Sequence, residues 1–348
     1  MLLRKEILLF YILALVIVVV TFFIPDFLPE KYLYDAIVIA EDPYNEKGGI
    51  GSYSISMSFY DFLKLNTLSF GQIGLIHTLI IFYLIRKLGI PTNLHRFYLS
   101  NALILTLILI FPAYLSMPTK EFLNIAFVFL IVLILKHKKL VSLKLLAVVF
   151  ALFFLFGFYF RIYYALIPFV AVAVSIISNV KTKFKAFNVF FISVLSCVFI
   201  SLSYGFVKGE FMSSSSREQF NETRVGREDS QTIIMSPIKT DTALGEAAGI
   251  FYGYFSVNIP LNGLKYYKKP QVLFFVFWQL SLILVLLINF SREIKVIGRT
   301  HQKWLFYLLI SYLAVQGIFE PDLGSSIRHK LGILPLIYEA TFYKRTRI

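Results

Sequence analysis

Apolar residues in this chain come in long blocks separated by shorter polar connections. Ten such segments can be marked, at 7–24, 69–86, 98–115, 121–136, 144–160, 162–178, 187–207, 271–291, 304–319 and 331–343. Most approach the ~20 residues that an α-helix needs to cross a bilayer, and several are shorter. The pattern predicts an all-α fold: a polytopic transmembrane helix bundle of about ten spans, forming one integral membrane domain over 1–348. The weakest spans are 144–160 and 162–178, divided only by Arg161, and the short last one. The first block follows Arg4 and Lys5 as a secretion signal would, but it is long for a signal core and no small-x-small cleavage site follows it. It is read as the first span. No internal repeat is visible.

Composition agrees with this reading. The 348 residues are 58% hydrophobic and 17% aromatic, with a mean hydropathy of +0.74, more apolar material than a soluble core of this length buries. The single cysteine, Cys197, lies inside an apolar block, so helix packing rather than an intramolecular disulfide must hold the fold. A net charge of +14 raises the question of nucleic acid. The basic residues, however, sit at the ends of apolar blocks, where they set topology and meet anionic lipid headgroups, and nucleic-acid binding is discarded.

With a cytoplasmic N-terminus, the inside connections hold Arg86, Lys87 and Arg96; Lys136, Lys138, Lys139 and Lys144; Lys181, Lys183 and Lys185; and Arg292, Lys295, Arg299 and Lys303. The tail adds Lys344, Arg345 and Arg347 on the same side, so both termini are cytoplasmic. Of the carboxylates, only Glu6 and Glu293 fall in inside connections. A positive-inside pattern repeated at every crossing is the strongest inference the sequence supports.

The outside connections are where chemistry is expected. The first periplasmic loop, 25–68, carries Asp35, Glu41 and Asp42, a Gly-Gly-Ile-Gly turn, and an amphipathic run from Tyr53 to Leu65 that suits the membrane interface. The second, Pro112 to Glu121, ends in Lys120 and Glu121, where an acid also suits a helix N-terminus. Arg161 is the third, placed either to snorkel to headgroups or to reach an anionic ligand. The large periplasmic loop, 208–270, begins with a polar half bearing Arg217, Arg224, Arg227, Glu228 and Asp229, expected to be flexible. Its second half, with Gly245, Gly249 and Gly253 among aromatics, is expected to be an interfacial or re-entrant element. The sequon at Asn221 is read as accidental.

The densest polar stretch is Glu320-Pro-Asp-Leu-Gly-Ser-Ser-Ile-Arg-His-Lys330, wedged between the last two apolar segments. Its plain reading is a solvated hairpin. Its functional reading is a site, since charge between spans is costly unless wet, paired or used. The five histidines form no metal constellation, and His77, alone in a span, reads as a packed, hydrogen-bonded residue. Neither a nucleophile elbow nor a phosphate-binding loop appears. What remains are arginines whose planar forks suit phosphate oxygens, namely Arg328, Arg161, Arg224 and Arg227, and an acid–base set of His329, Glu320 and Asp322. Asp35, Lys120 and Glu121 are further candidates, and tyrosines and phenylalanines suit the apolar faces of sugar rings.

The run from Phe319 to Lys330, followed by Leu334-Pro-Leu, resembles the last outside loop of bacterial O-antigen polymerases of the Wzy type. Leu28-Pro-Glu-Lys-Tyr-Leu-Tyr-Asp35, with Gly51-Ser-Tyr and Ser58-Phe-Tyr, is similar to the same group, as is the Pro112 to Glu121 turn. The likeness touches three short places, under a third of the chain. It implies a multi-pass enzyme of the bacterial inner membrane that joins undecaprenyl-diphosphate-linked oligosaccharide units at the periplasmic face, without metal or other cofactor. A chain-length regulator protein is a candidate partner beside the membrane lipid. By position, Arg328 and His329 match the family's C-terminal Arg-His, and Glu320 and Asp322 its preceding acids. The short final span and the lack of a second large periplasmic loop depart from the family's pattern. Two other readings stay open: a glycosyltransferase adding one sugar from a polyprenyl-phosphate donor, which a first-loop pair such as Glu41 and Asp42 would serve, and a flippase or transporter, against which the missing repeat symmetry counts.

Overall fold

The computed structural model describes residues 4–138, 140–226, 232–343 and 346–347; Lys139, Arg227, Glu228, Asp229, Lys344 and Arg345 lie outside them. The described chain is helical, apart from a two-residue antiparallel pairing of β1 (Ile90–Pro91) with β2 (Thr346–Arg347) and two isolated bridges. In order come α1 (Lys5–Phe23), α2 (Glu30–Glu41), α3 (Ser52–Phe62), α4 (Phe70–Leu88), α5 (Leu99–Leu115), α6 (Lys120–Lys136), α7 (Leu143–Tyr159) and α8 (Ile167–Asn179). They are followed by α9 (Lys185–Lys208), α10 (Gln219–Glu222), α11 (Ala243–Asn258), α12 (Pro270–Glu293), α13 (His301–Phe319), α14 (Leu323–Gly332) and α15 (Leu334–Thr341). Every apolar block of the sequence contains a helix, as it must where no water is present to satisfy backbone amides.

Four stretches are long and apolar enough to cross a membrane: Lys5–Phe27, which adds the 3₁₀ turn after α1, Phe70–Leu88, Lys185–Lys208 and Pro270–Glu293. Leu99–Leu115, Leu143–Tyr159 and Ile162–Ser178 are apolar but shorter.

The chain forms two compact units. The first comprises Met1–His137, Leu155–Ile162 and Leu331–Ile348. Here α1 packs on α4 and α5, and α15 on α5 and α6. A Cβ at Gly74 would lie 2.5 Å from the Ser116 backbone and 2.7 Å from Thr21 Cγ2, so only glycine permits this approach, the small-residue packing expected where lipid supplies no hydrophobic drive. Glu339, an acid in an apolar helix, accepts from Lys136 Nζ at 2.7 Å, and the same ammonium donates to the Leu88 carbonyl, also at 2.7 Å. Its partner is thus a lysine at the end of α6.

The second unit comprises Lys138–Phe154 and Tyr163–Lys330. Its axis is α13, buried at every residue from Lys303 to Ile318 and packed by α8, α9 and α11. In the polar half of the 208–270 segment, expected to be flexible, described residues on both sides of 227–231 are instead pinned here. Arg217 is 1% exposed and donates to the carbonyls of Gly317 (2.7 Å) and Gly249 (3.1 Å) and to Glu218 (2.7 Å). A Cβ at Gly253 would sit 2.0 Å from Arg217 Nη1 and 2.1 Å from the Gly317 carbonyl, so the glycines of α11 open the slot that admits this guanidinium. Glu246 of α11 is fully buried and accepts from the hydroxyls of Ser201 and Ser213. The sequon residue Asn221 is also buried, its amide donating to the carbonyls of Ile234 (3.0 Å) and Pro321 (2.9 Å); no glycan could be held there in the folded chain.

Candidate functional site

In the second unit the site forms where α13 breaks. Glu320 precedes Pro321, and a residue before proline is driven out of the helical region; Glu320 accordingly adopts φ −74°, ψ 116°, and α13 stops. Asp322 then starts α14: its Oδ1 accepts the Ser325 amide at 2.8 Å and its Oδ2 the Ser325 hydroxyl at 2.9 Å, an N-cap arrangement. Glu-Pro-Asp is therefore a stop, a corner and a start. Ile234 donates to the Pro321 carbonyl at 2.8 Å, which ties the large loop to the corner.

The corner turns the Glu320 carboxylate inward, to 1% exposure. Oε2 accepts from Gln316 Nε2 at 2.7 Å and lies 2.9 Å from His329 Nδ1. An ionised carboxylate only accepts, so Nδ1 carries the proton and Nε2 is the basic nitrogen. The His329 side chain remains 19% exposed while that of Glu320 is closed off. Oε1 of Glu320, closed off as well, has no hydrogen-bond partner among the described residues.

Lys330, singled out by no motif, completes the cluster. Its ammonium is wholly buried, donating to Ser326 Oγ at 2.7 Å and reaching Gln316 Oε1 and the Val257 carbonyl at 3.5 Å each. Burial pushes its ionisation down to about 7, against the opposing pull of the Glu320 charge. Gln316 bridges the two, amide nitrogen to Glu320 and oxygen to Lys330. The signal for this group was helical spacing: Gln316 lies four residues before Glu320, and Ser326 four before Lys330.

The structure brings Glu320 and His329 together, and separately Asp322 and Arg224. Arg224 Nη1 donates to Asp322 Oδ2 at 2.9 Å and its guanidinium lies 5.0 Å from the Phe220 ring centre. Both oxygens of Asp322 are thus engaged in the cap and this ion pair. Arg328 is half-buried on α14.

A second polar cluster lies in the first unit, where Asp35, Lys120, Glu121 and Arg161 fall into two ion pairs. Arg161 grips the buried Glu121 carboxylate, Nη2 to Oε1 at 2.8 Å and Nη1 to Oε2 at 3.4 Å, and Asn124 donates to Oε2 at 2.8 Å. Arg161, expected to snorkel or to reach a ligand, holds this carboxylate, and Glu121 does more than cap a helix. Lys120 approaches Asp35 at 3.4 Å and lies 3.6 Å above the Tyr53 ring, whose hydroxyl donates to Asp35 at 2.7 Å. The neighbouring His77 is packed as its isolation suggested: Nδ1 donates to the Leu115 carbonyl at 3.0 Å, Nε2 lies 3.1 Å from the Tyr60 hydroxyl, and the ring stacks on Phe122. Asp42, of the Glu41–Asp42 pair, holds a turn by accepting the amides of Glu46 (2.7 Å) and Lys47 (3.3 Å).

Among the described residues, no cluster of three or more His, Cys, Asp or Glu side chains is placed to hold a metal ion. The chain matches no protein-family model, no curated protein and no solved structure.

Proposed function

We propose that this chain is a glycosyltransferase of the bacterial inner membrane, crossing it about ten times with both termini in the cytoplasm, and that it polymerises undecaprenyl-diphosphate-linked oligosaccharide units at the periplasmic face. The observation that carries this reading is the His329–Glu320 pair at the α13–α14 corner, a carboxylate-oriented imidazole one residue from Arg328.

A sugar hydroxyl at the non-reducing end of one unit attacks the anomeric carbon of the glycan on another. The new glycosidic C–O bond forms as the bond from that carbon to the diphosphate oxygen breaks. His329 Nε2 takes the hydroxyl proton, and the buried carboxylate of Glu320 steadies the imidazolium that results. The departing diphosphate carries away the electron pair and the negative charge, which Arg328 meets with a planar fork. Asp322 takes no proton in this scheme; it holds Arg224 and begins α14. Nothing in these steps calls for a metal or a nucleotide sugar.

The test is a gel of lipid-linked surface glycan from cells lacking the gene, beside cells expressing wild type or Arg328→Ala. A ladder that collapses to a single unit in both defective strains is the expected result. An intact ladder without the gene overturns the reading.

A further inference from the structure

In the first unit, the start of α1, the end of α4 and the residues of β1 enclose a cavity of about 460 Å³. Arg4, Arg86 and Lys87 line it with positive charge, and Glu6, whose carboxylate lies 3.7 Å from His95 Nδ1, is the one acid among its described lining residues. Tyr11 and Tyr83 form its aromatic wall, the Arg86 guanidinium standing 5.8 Å from the Tyr11 ring centre and the Lys87 ammonium 5.3 Å from that of Tyr83. Its floor includes Ile90, which pairs with Arg347 in the β1–β2 ladder.

Two features separate this place from an ordinary basic helix end. A helix terminus that merely complements its dipole presents cations on a convex surface, whereas these three line one concavity of a size that ligands occupy. The helices that bound it are also two of the four long enough to cross a membrane, and their exposed faces nearby are apolar: Leu8 and Ile12 on α1, Leu79 and Ile80 on α4. A ligand seated here has an anionic head among three cations and hydrocarbon along two apolar helices. Tyrosines bridge the two zones, since one end of the side chain suits lipid and the other water.

We infer that this cavity binds the phosphate headgroup of an anionic phospholipid, with the acyl chains lying along α1 and α4. The recognised group is a phosphodiester, which a free phosphate could imitate in charge but not in its hydrocarbon.

The test uses the full-length protein in nanodiscs of phosphatidylglycerol with phosphatidylcholine, released into the gas phase for native mass spectrometry. Wild type is expected to retain phosphatidylglycerol in preference to phosphatidylcholine. The triple variant Arg4→Gln/Arg86→Gln/Lys87→Gln is expected to lose that preference, at about fivefold per basic side chain and on the order of a hundredfold in all. A control, Lys181→Gln/Lys183→Gln/Lys295→Gln, removes as much charge from exposed positions elsewhere and is expected to keep it. Arg86→Gln alone is measured beside them, so that a triple variant that fails to fold still leaves a variant to read, with a loss of about fivefold. Equal retention by wild type and Arg86→Gln, or equal loss in the control, overturns the site. Displacement of the lipid by millimolar inorganic phosphate also overturns it, since the site would then take a free anion.

Discussion

Nδ1 of His329 lies 2.9 Å from Oε2 of Glu320, nine residues earlier in the chain and across the break at Pro321. The pairing fixes which ring nitrogen is basic, so the two residues should fail in different ways. On the proposed mechanism His329→Ala removes the base, and a loss of about 100-fold or more in polymerisation rate is expected with the protein still inserted. Glu320→Gln keeps the shape, but its amide can donate to Nδ1 and so favour the tautomer protonated on Nε2, the wrong nitrogen for a base. Its loss should approach that of the alanine variant. Measured rates on lipid-linked repeat units decide this, and a normal ladder from His329→Ala would remove the histidine from catalysis.

Gly253 separates backbone from guanidinium in the second unit. With Arg217 Nη1 2.0 Å and the Gly317 carbonyl 2.1 Å from where a Cβ would sit, Gly253→Ala must push α11 from α13 or expel a buried, hydrogen-bonded charge. A penalty of about 3 kcal/mol or more is expected, at the high end of overpacking because an ion pair is disturbed with it. Gly49→Ala meets nothing within 4 Å and should be silent. Thermal melts of the two purified variants in detergent make the comparison.

These two places also show what could be read from the sequence. Helix positions were legible because an apolar block in lipid can only be a helix, and the blocks at 187–207 and 271–291 lie inside α9 and α12. The corner at Glu320 was legible as a polar cluster because so many charges were crowded between two apolar segments. The order of the described residues of 208–242 was not, because their polar composition resembles that of a free loop. They are held chiefly by Arg217, one long side chain buried in a slot of glycines about 30 to 100 residues away, and by the bonds of Asn221 and Ile234 to the Pro321 carbonyl. Lys330 was hidden for a similar reason: its local sequence is polar, and only tertiary packing by Val257 and Phe275 closes it from water.

The Glu121–Arg161 pair predicts a double-mutant cycle with an unequal pattern. With side chains 1% and 8% exposed, loss of either partner leaves a buried charge without this counter-ion. Arg161→Met and Glu121→Gln should each cost about 3–5 kcal/mol. The double variant should cost clearly less than the sum, because no buried charge remains. Additive losses in detergent melts would mean that the pair is already solvated and contributes little.

Lys330 carries the pH prediction. Its ionisation falls from the usual 10.5 to about 7, chiefly through burial. Below about 7 the lysine is charged in both folded and unfolded chains, and the full cost of burying an ammonium weighs on the fold. Between about 7 and 10.5 the unfolded chain holds the proton and the folded chain does not. Stability from this group therefore rises with pH, by at most about 1.4 kcal/mol per unit, and levels off above 10.5. The groups facing it are the Ser326 hydroxyl, Gln316, the Val257 carbonyl and the Phe275 ring, with the Glu320 charge beyond Gln316, so among the described residues no other titrating side chain hydrogen-bonds to it. Lys330→Met fills similar space without a charge and gives up the Ser326 and Gln316 bonds. Relative to wild type it should do best near pH 6.5 and lose ground steadily toward pH 10. Melting curves of both proteins across that range, taken by tryptophan fluorescence, read the difference. A gap that stays constant with pH would mean that Lys330 is protonated throughout and that water reaches the α13–α14 corner.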